Sequence, residues 1–340
     1  MITGNEKKRL VILAIIVVIV GGGMLLWGQY NTAVQIFDIG VRQVQVVDML
    51  STDEAWSKSE EEAIIYEAIR EAGENWRSEA EASIKRDVFT ASTASEQYGK
   101  TEIQELSYEY YNNGSDKTVI LLHAYQETPE DAAVFAPFWW SRGFNVLIAS
   151  VRGFTEQGGV TTFGAYEQYD LLDLIRKENL NAEEHTLVIH GKGLGGAAAL
   201  LLAGNDRYAK EASIDLIVAD TVYPNLKDLE LKLMKHHFSL GNFMVGMLID
   251  SIAKSSLGFD IADIDIAAAS GASDTPVMFI CGENDEYLGP DMTKAVYDAH
   301  KVQKSYTVIA GAGYHMSYAV SKSTDNLYDT LLDEWIEKIA

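Results

Sequence analysis

Apolar positions along this chain follow three successive patterns. Leu10 to Trp27 reads LVILAIIVVIVGGGMLLW, and no charged residue occurs between Arg9 and Asp38. Eighteen residues at a helical rise cover about 27 Å, the thickness of a bilayer's hydrocarbon core. Next, Ile65, Ile69, Ala72, Trp76, Ala80 and Ile84 recur at spacings of three and four, which predicts one long amphipathic helix. Ser51 and Glu54 ahead of it fit a capping box. Residues 87–100 are polar, break the stripe and read as a linker. From about Thr101 the pattern changes to strand-length apolar runs: TVILLH (118–123), NVLIAS (145–150), TLVIH (186–190), DLIVAD (215–220), PVMFIC (276–281) and SYTVIA (305–310). Their near-continuous apolarity suits strands buried on both faces. Helical segments are expected between them, around 129–142, 164–178, 194–204, 290–303 and 325–339. The alternation predicts an α/β fold, a mostly parallel sheet with helices on both faces. Residues 221–262 interrupt it and read as a small helical cap.

The flanks of the first run give it a direction. Lys7, Lys8 and Arg9 precede it, while Trp27 and Tyr30 follow. Basic residues stay cytoplasmic and aromatics favour the interface. The expected organisation is a cytoplasmic 1–9, a transmembrane helix over 10–30, a helical neck and linker over 31–100, and a globular domain over 101–340. The chain is thus expected to be a single-pass protein of the cell membrane, its C-terminal domain extracytoplasmic. A cleaved signal peptide would have a shorter apolar region and an Ala-x-Ala-like site, which residues 28–34 lack. The three glycines form no GxxxG dimer motif. The stripe over 65–84 serves either a protein partner, whose identity the sequence does not give, or packing on the domain that follows.

Composition removes several functions. Asp plus Glu number 50 against 27 Lys plus Arg, a formal charge of −23, so phosphate backbones are repelled and no nucleic-acid partner is expected. Cys281 is the single cysteine, which excludes an internal disulfide and a cysteine-based zinc site. No metal or other cofactor is expected.

In a parallel sheet, ligands gather at the carboxyl ends of the strands. The run ending at His190 is followed by Gly191-Lys192-Gly193-Leu194-Gly195-Gly196 and then by apolar helix formers. A strand, a tight glycine turn and a helix have the form of the nucleophile elbow G-x-S-x-G. A later strand runs into Cys281-Gly282-Glu283-Asn284-Asp285, and the last into Gly311-Ala312-Gly313-Tyr314-His315-Met316-Ser317. Elbow, acid and histidine stand in the order typical of one hydrolase group.

Over residues 101–340 the chain resembles the α/β hydrolases, especially the bacterial esterase- and peptidase-like branch that carries an N-terminal anchor. "VILLHAYQETPED" resembles the strand and loop that contribute an oxyanion-hole amide. "GFNVLIASVRGFTEQGG", "TFGAYEQYDLLDLI", "PVMFICGENDEYLGPDM" and "GAGYHMSYA" have counterparts in the same order. The resemblance implies Asp285 as the triad acid, the amides of Tyr125 and Leu194 as oxyanion donors, and Ala124 and Lys192 beside them. It implies a histidine at position 314 or 315. Tyr314 falls on that position if the tail is read against Ser317, and His315 falls there if the loop carries one extra residue.

The nucleophile is missing. Gly193 stands where the elbow places serine, and no other Ser, Thr or Cys lies within the elbow. Asp285 and His315 are then vestigial candidates. The leading expectation is a degenerate hydrolase that keeps a pocket for a small-molecule or peptide ligand. Two alternatives stand beside it: an active ester or amide hydrolase using water activated by His315 or a serine from another loop, and a structural or interaction module at the cell surface. His123 and His190 are expected to be structural, Cys281 a small buried hydrophobe, and Phe135, Phe138, Trp139 and Trp140 packing residues. Adjacent His236 and His237 point different ways and do not form a metal pair.

Overall fold

The computed structural model describes residues 27–38, 40–41, 60–99, 103–153, 159–238 and 243–339. Most of the apolar run expected to cross a membrane (10–26), and the capping box at Ser51, lie outside the described residues. Among the described residues, no helix is long and apolar enough to cross a membrane.

Eight strands form one sheet: β1 (Ile84–Ala91), β2 (Gln104–Tyr111), β3 (Lys117–Leu122), β4 (Asn145–Ala149), β5 (Thr186–Lys192), β6 (Leu216–Asp220), β7 (Val277–Gly282) and β8 (Lys304–Ile309). Their order is β1-β2-β4-β3-β5-β6-β7-β8. β2 runs antiparallel to β1 and β4, and the remaining pairs are parallel. The main helices are α1 (Glu60–Glu79), α2 (Glu167–Glu178), α3 (Leu194–Ala203), α4 (Leu226–Phe238), α5 (Phe243–Leu257), α6 (Pro290–Ala299), α7 (Ser317–Ser323) and α8 (Leu327–Ile339).

Side-chain alternation along the strands builds two apolar layers. Ile120, Leu147, Ile189, Ile217 and Phe279 pack with α2, α3 and the cap. Val119, Leu121, Val146, Val188, Val218 and Met278 pack on the opposite face with α1, α7 and α8. The cap holds α4 and α5, joined by Lys227, whose Nζ lies 2.8 Å from Asp250 and 2.7 Å from Glu230. A bridge between Asn225 and Asp265 closes its base.

The N-terminal region departs from the sequence reading. The segment read as a linker holds β1 and a short helix, Thr93–Tyr98. β1 pairs with β2 along its whole length, so the sheet begins before residue 101. Its sequence IKRDVFTA buries only Phe89 and Ala91, because an edge strand faces water on most sides. Ile84 therefore belongs to β1 and not to the helical stripe. Most of the rest of the stripe packs on its own domain: Trp76 and Ala80 are buried and Ile65 and Ile69 pack against the same layer, joined by Tyr66, while Ala72 is exposed. The Trp76 ring lies 4.7 Å from Tyr111 and 5.8 Å from Trp140.

Residues 27–38 and 40–41 are helical and dock on the first layer through Ala33, Phe37 and Val41. Tyr125 Oη donates to the Gly40 carbonyl at 3.0 Å, and the Thr161 amide donates to the Val41 carbonyl at 3.0 Å.

Candidate active site

β3 and β5 are neighbours although β4 intervenes in sequence, so the sheet reverses its winding between them. A crevice opens outside the strand ends at such a point. β5 delivers the elbow there. Its last residue, Lys192, is followed by Gly193 at φ +46°, ψ −108°, and α3 begins at Leu194. The Gly193 amide donates to the Asp220 carbonyl at 2.8 Å and pins the turn. A side chain at this positive φ would be strained, and glycine adopts it without that cost. The turn is tight: a Cβ at Gly195 would lie 2.5 Å from Leu122 Cβ, so α3 packs closely on the end of β3 only because that residue has no side chain.

A Cβ at Gly193 would lie 3.1 Å from His315 Nε2, 3.4 Å from His315 Cε1 and 3.2 Å from Ala124 Cβ. The histidine loop and the loop after β3 thus converge on the side chain that the elbow lacks. His315, not Tyr314, faces the elbow. His315 has a left-handed backbone (φ +56°) that turns its ring toward Gly193. The Tyr314 ring stacks on it at 3.7 Å between centroids and lies 4.9 Å from the Tyr287 ring.

His315 does not hydrogen-bond the expected acid. Its Nδ1 lies 3.1 Å from Oε1 of Glu127, a residue of the loop after β3. The same oxygen takes Lys192 Nζ at 2.5 Å, and Glu127 Oε2 accepts the Ala124 amide at 3.1 Å. Burial works to raise the Glu127 carboxyl, but Lys192 and His315 outweigh it and hold it well below the usual range. Asp285 instead turns Oδ1 to the amides of Tyr287 and Leu288, both at 2.9 Å. Its Oδ2 is buried without a hydrogen-bond partner among the described residues, and burial raises its carboxyl.

Lys192 is not a pocket residue. Its side chain is 2% exposed and points to the α1 side of the sheet, as strand alternation requires of the position two after His190. Its Nζ lies 5.9 Å from the Tyr66 ring of α1. The same helix reaches the histidine loop, where the Gly313 amide donates to Glu62 Oε1 at 3.0 Å.

The cleft above the elbow encloses about 300 Å³, its open mouth included. Tyr125 and Leu194, whose amides the resemblance gives as oxyanion donors, line it together with Phe163, Tyr223, Leu233, Leu288 and Tyr314. Ala124 sits beside Gly193 but its amide is taken by Glu127.

The remaining candidates lie in the core. His123 Nε2 accepts the Val151 amide at 3.0 Å. Trp139 Nε1 donates to His190 Nδ1 at 3.1 Å, His190 Nε2 lies 2.9 Å from Tyr328 Oη, and Tyr328 donates to Asp220 at 3.0 Å. Burial, with Lys192 adding to it, lowers the His190 pKa to about 3. Cys281 is buried, and burial pushes its thiol up to about 11, which leaves it a poor nucleophile. Phe135, Phe138 and Trp139 are core residues. The side chains of His236 and His237 lie outside the described residues. Sequence reasoning missed the cleft residues Phe163, Tyr223, Leu233 and Leu288 and, beside the histidine, Glu127. The only trace of Glu127 is charge: an acid in the first loop and a lysine at the elbow.

No family model matches the chain. The protein YqkD of Bacillus subtilis is 22% identical over 234 residues, covering 68% of this chain and 75% of YqkD. Among solved structures, the Pyrococcus furiosus esterase Pf2001 superposes with a TM-score of 0.56 at 19% identity, covering 77% of this chain and 93% of that one. Rv0554 of Mycobacterium tuberculosis gives 0.53 at 14% identity, covering 75% and 100%. The esterase domain of a Rhodothermus marinus protein gives 0.51 at 13% identity, covering 76% and 100%. With its mixed eight-stranded sheet, its elbow at the end of β5 and its histidine loop after β8, the chain is an α/β hydrolase in fold.

Proposed function

We propose that this protein is a membrane-anchored, extracytoplasmic member of the α/β-hydrolase lineage that has lost serine catalysis and uses the cleft above the elbow to bind a ligand. The observation that carries the reading is Gly193: the elbow turn is kept, His315 faces it, and no nucleophilic oxygen stands between them. In Ser-His-Asp hydrolases, losing the serine costs on the order of 10⁶ in turnover. Anchoring rests on the uncharged run 10–27 and its basic flank. A second reading has one observation in its favour. The His315–Glu127 pair is intact and Nε2, though buried, has no hydrogen-bond partner among the described residues, which suits a base that activates water without a covalent intermediate. A surface module acting through the neck helix is less favoured, because α1 spends its apolar face on its own domain.

The test of the leading reading is the intact mass of the protein after incubation with a fluorophosphonate and, separately, with p-nitrophenyl acetate. No adduct and no burst are expected. An acyl or phosphonyl mass on any residue would sink the reading. Adduct-free hydrolysis abolished by His315→Ala would move the assignment to the water mechanism. For topology, protease added to intact protoplasts is expected to digest the domain, and full protection of residues 60–339 would overturn the extracytoplasmic placement.

A further inference from the structure

We infer that the space at Gly193 is a binding site for the hydroxyl group of a neutral alcohol with an apolar body. The inference rests on the ligand-binding reading above and names the chemistry of the ligand.

The space has one acceptor aimed into it. His315 is 7% exposed, and its Nε2 is buried without a hydrogen-bond partner among the described residues. Glu127, ionised through its contacts with Lys192 and His315, only accepts hydrogen bonds, so His315 Nδ1 is the donor of their pair. In the neutral ring Nε2 then carries the lone pair, and it asks for a donor. Facing it is the first turn of α3, a ten-residue helix whose leading amides have no intrahelical acceptor. They ask for an oxygen. One small group that donates and accepts at a single atom satisfies both sides, and a hydroxyl does so.

Charge argues against the alternatives. Glu127, Asp285 and Asp220 surround the site, against Lys192, which pairs with Glu127, and Lys232, whose Nζ bonds the Leu288 carbonyl. A ligand carboxylate would add a further negative charge to these three acids. An ammonium would satisfy Nε2 but would meet the positive end of the α3 dipole. The walls select the body. Tyr125 and Tyr223 direct their hydroxyls to the carbonyls of Gly40 and Phe163, both at 3.0 Å, so they present ring faces to the cleft. Leu229 and Leu288 complete an apolar wall.

The experiment uses the full-length chain in phosphatidylcholine nanodiscs and four matched water-borne probes: 2-phenylethanol, phenylacetate, 2-phenylethylamine and ethylbenzene. Affinities come from ligand-observed NMR, with empty nanodiscs subtracted. Saturable binding of 2-phenylethanol is expected, about tenfold tighter than each of the others, the worth of one buried hydrogen bond. Gly193→Ala, which fills the space, and His315→Phe, which removes the acceptor without altering the elbow, are each expected to weaken it by about tenfold. Equal affinity for alcohol and ethylbenzene, or alcohol binding unchanged in folded His315→Phe, would overturn the hydroxyl site and leave the ligand-binding reading standing. Tighter phenylacetate would overturn it in favour of an anion. Saturable binding of none of the four would overturn both.

Discussion

Gly193→Ser is expected to turn the protein into a measurable esterase with no second change. The substitution puts an oxygen one bond beyond a Cβ that lies 3.1 Å from His315 Nε2, within reach of a hydrogen bond to the base. Glu127 holds the other ring nitrogen, the role an orienting acid plays in a triad. A serine in a complete triad contributes on the order of 10⁶ in turnover. Here Asp285 faces its own loop and Glu127 is shared with Lys192 and the Ala124 amide, so a part of that is expected: on the order of 10²–10³ over the parent in p-nitrophenyl acetate hydrolysis. His315→Ala in the serine background should abolish the gain, and Glu127→Gln should lower it. Serine at φ +46° should also cost about 1–3 kcal/mol of stability. A folded, inactive Gly193→Ser that gains activity only with Tyr314→His would show that Tyr314 holds the base position.

The second large effect concerns the ion pair behind the elbow. Lys192→Met removes the only lysine bonded to Glu127 among the described residues and leaves a largely buried carboxylate with the His315 ring and the Ala124 amide as its remaining partners. Breaking a buried pair from one side costs about 3–5 kcal/mol. At about 2–4 °C per kcal/mol for a domain of this size, the melting temperature should fall by about 6–20 °C. The double variant Lys192→Met, Glu127→Gln should recover much of the loss, because the uncompensated charge is gone. A single variant as stable as the parent would show that Lys192 contributes no net stability. Acid supplies an independent check. The Glu127 carboxyl is held below its unfolded value of about 4.3, so its stabilisation is present above that pH. It disappears as the pH falls through the lower folded value. The parent should therefore lose stability below about pH 4 more steeply than the double variant.

The parallel heart of the sheet was legible in the sequence because strands buried on both faces must be apolar throughout, as TVILL and LVIH are. β1 and β2 were not legible. IKRDVFTA and QELSYEYY lie toward the sheet's antiparallel edge and carry charges at water-facing positions, so they read as polar spacer. The elbow was legible because a strand, four glycines and a helix leave few other conformations. The histidine was not, since Tyr314 and His315 are adjacent rings, and the backbone sign at position 315 that chooses between them leaves no mark in composition. Glu127 was hidden for a different reason. It meets His315 across 188 residues of chain, and an acid in a polar loop has a solvated explanation at no cost. Asp285 matched by position, but its loop offers two amides closer to hand than the ring.

The contact between α1 and the histidine loop also bears on the order in which the chain can fold. Glu62 and the Gly313 amide are separated by 251 residues, and α1 packs against α7, close to the C-terminus. Its other partners lie nearer: residues 133–141 and β2 supply neighbours for Trp76 about sixty residues or fewer away. As the chain emerges from its N-terminus, α1 can therefore settle on the early strands while half of its apolar face waits. Closing the longest loop is entropically the slowest step, because nothing rewards it until both ends are in place. The cluster of His315, Glu127 and Lys192 thus assembles last, after the sheet that carries it. A chain halted before β8 would hold Lys192 and Glu127 as an ion pair with the histidine still missing.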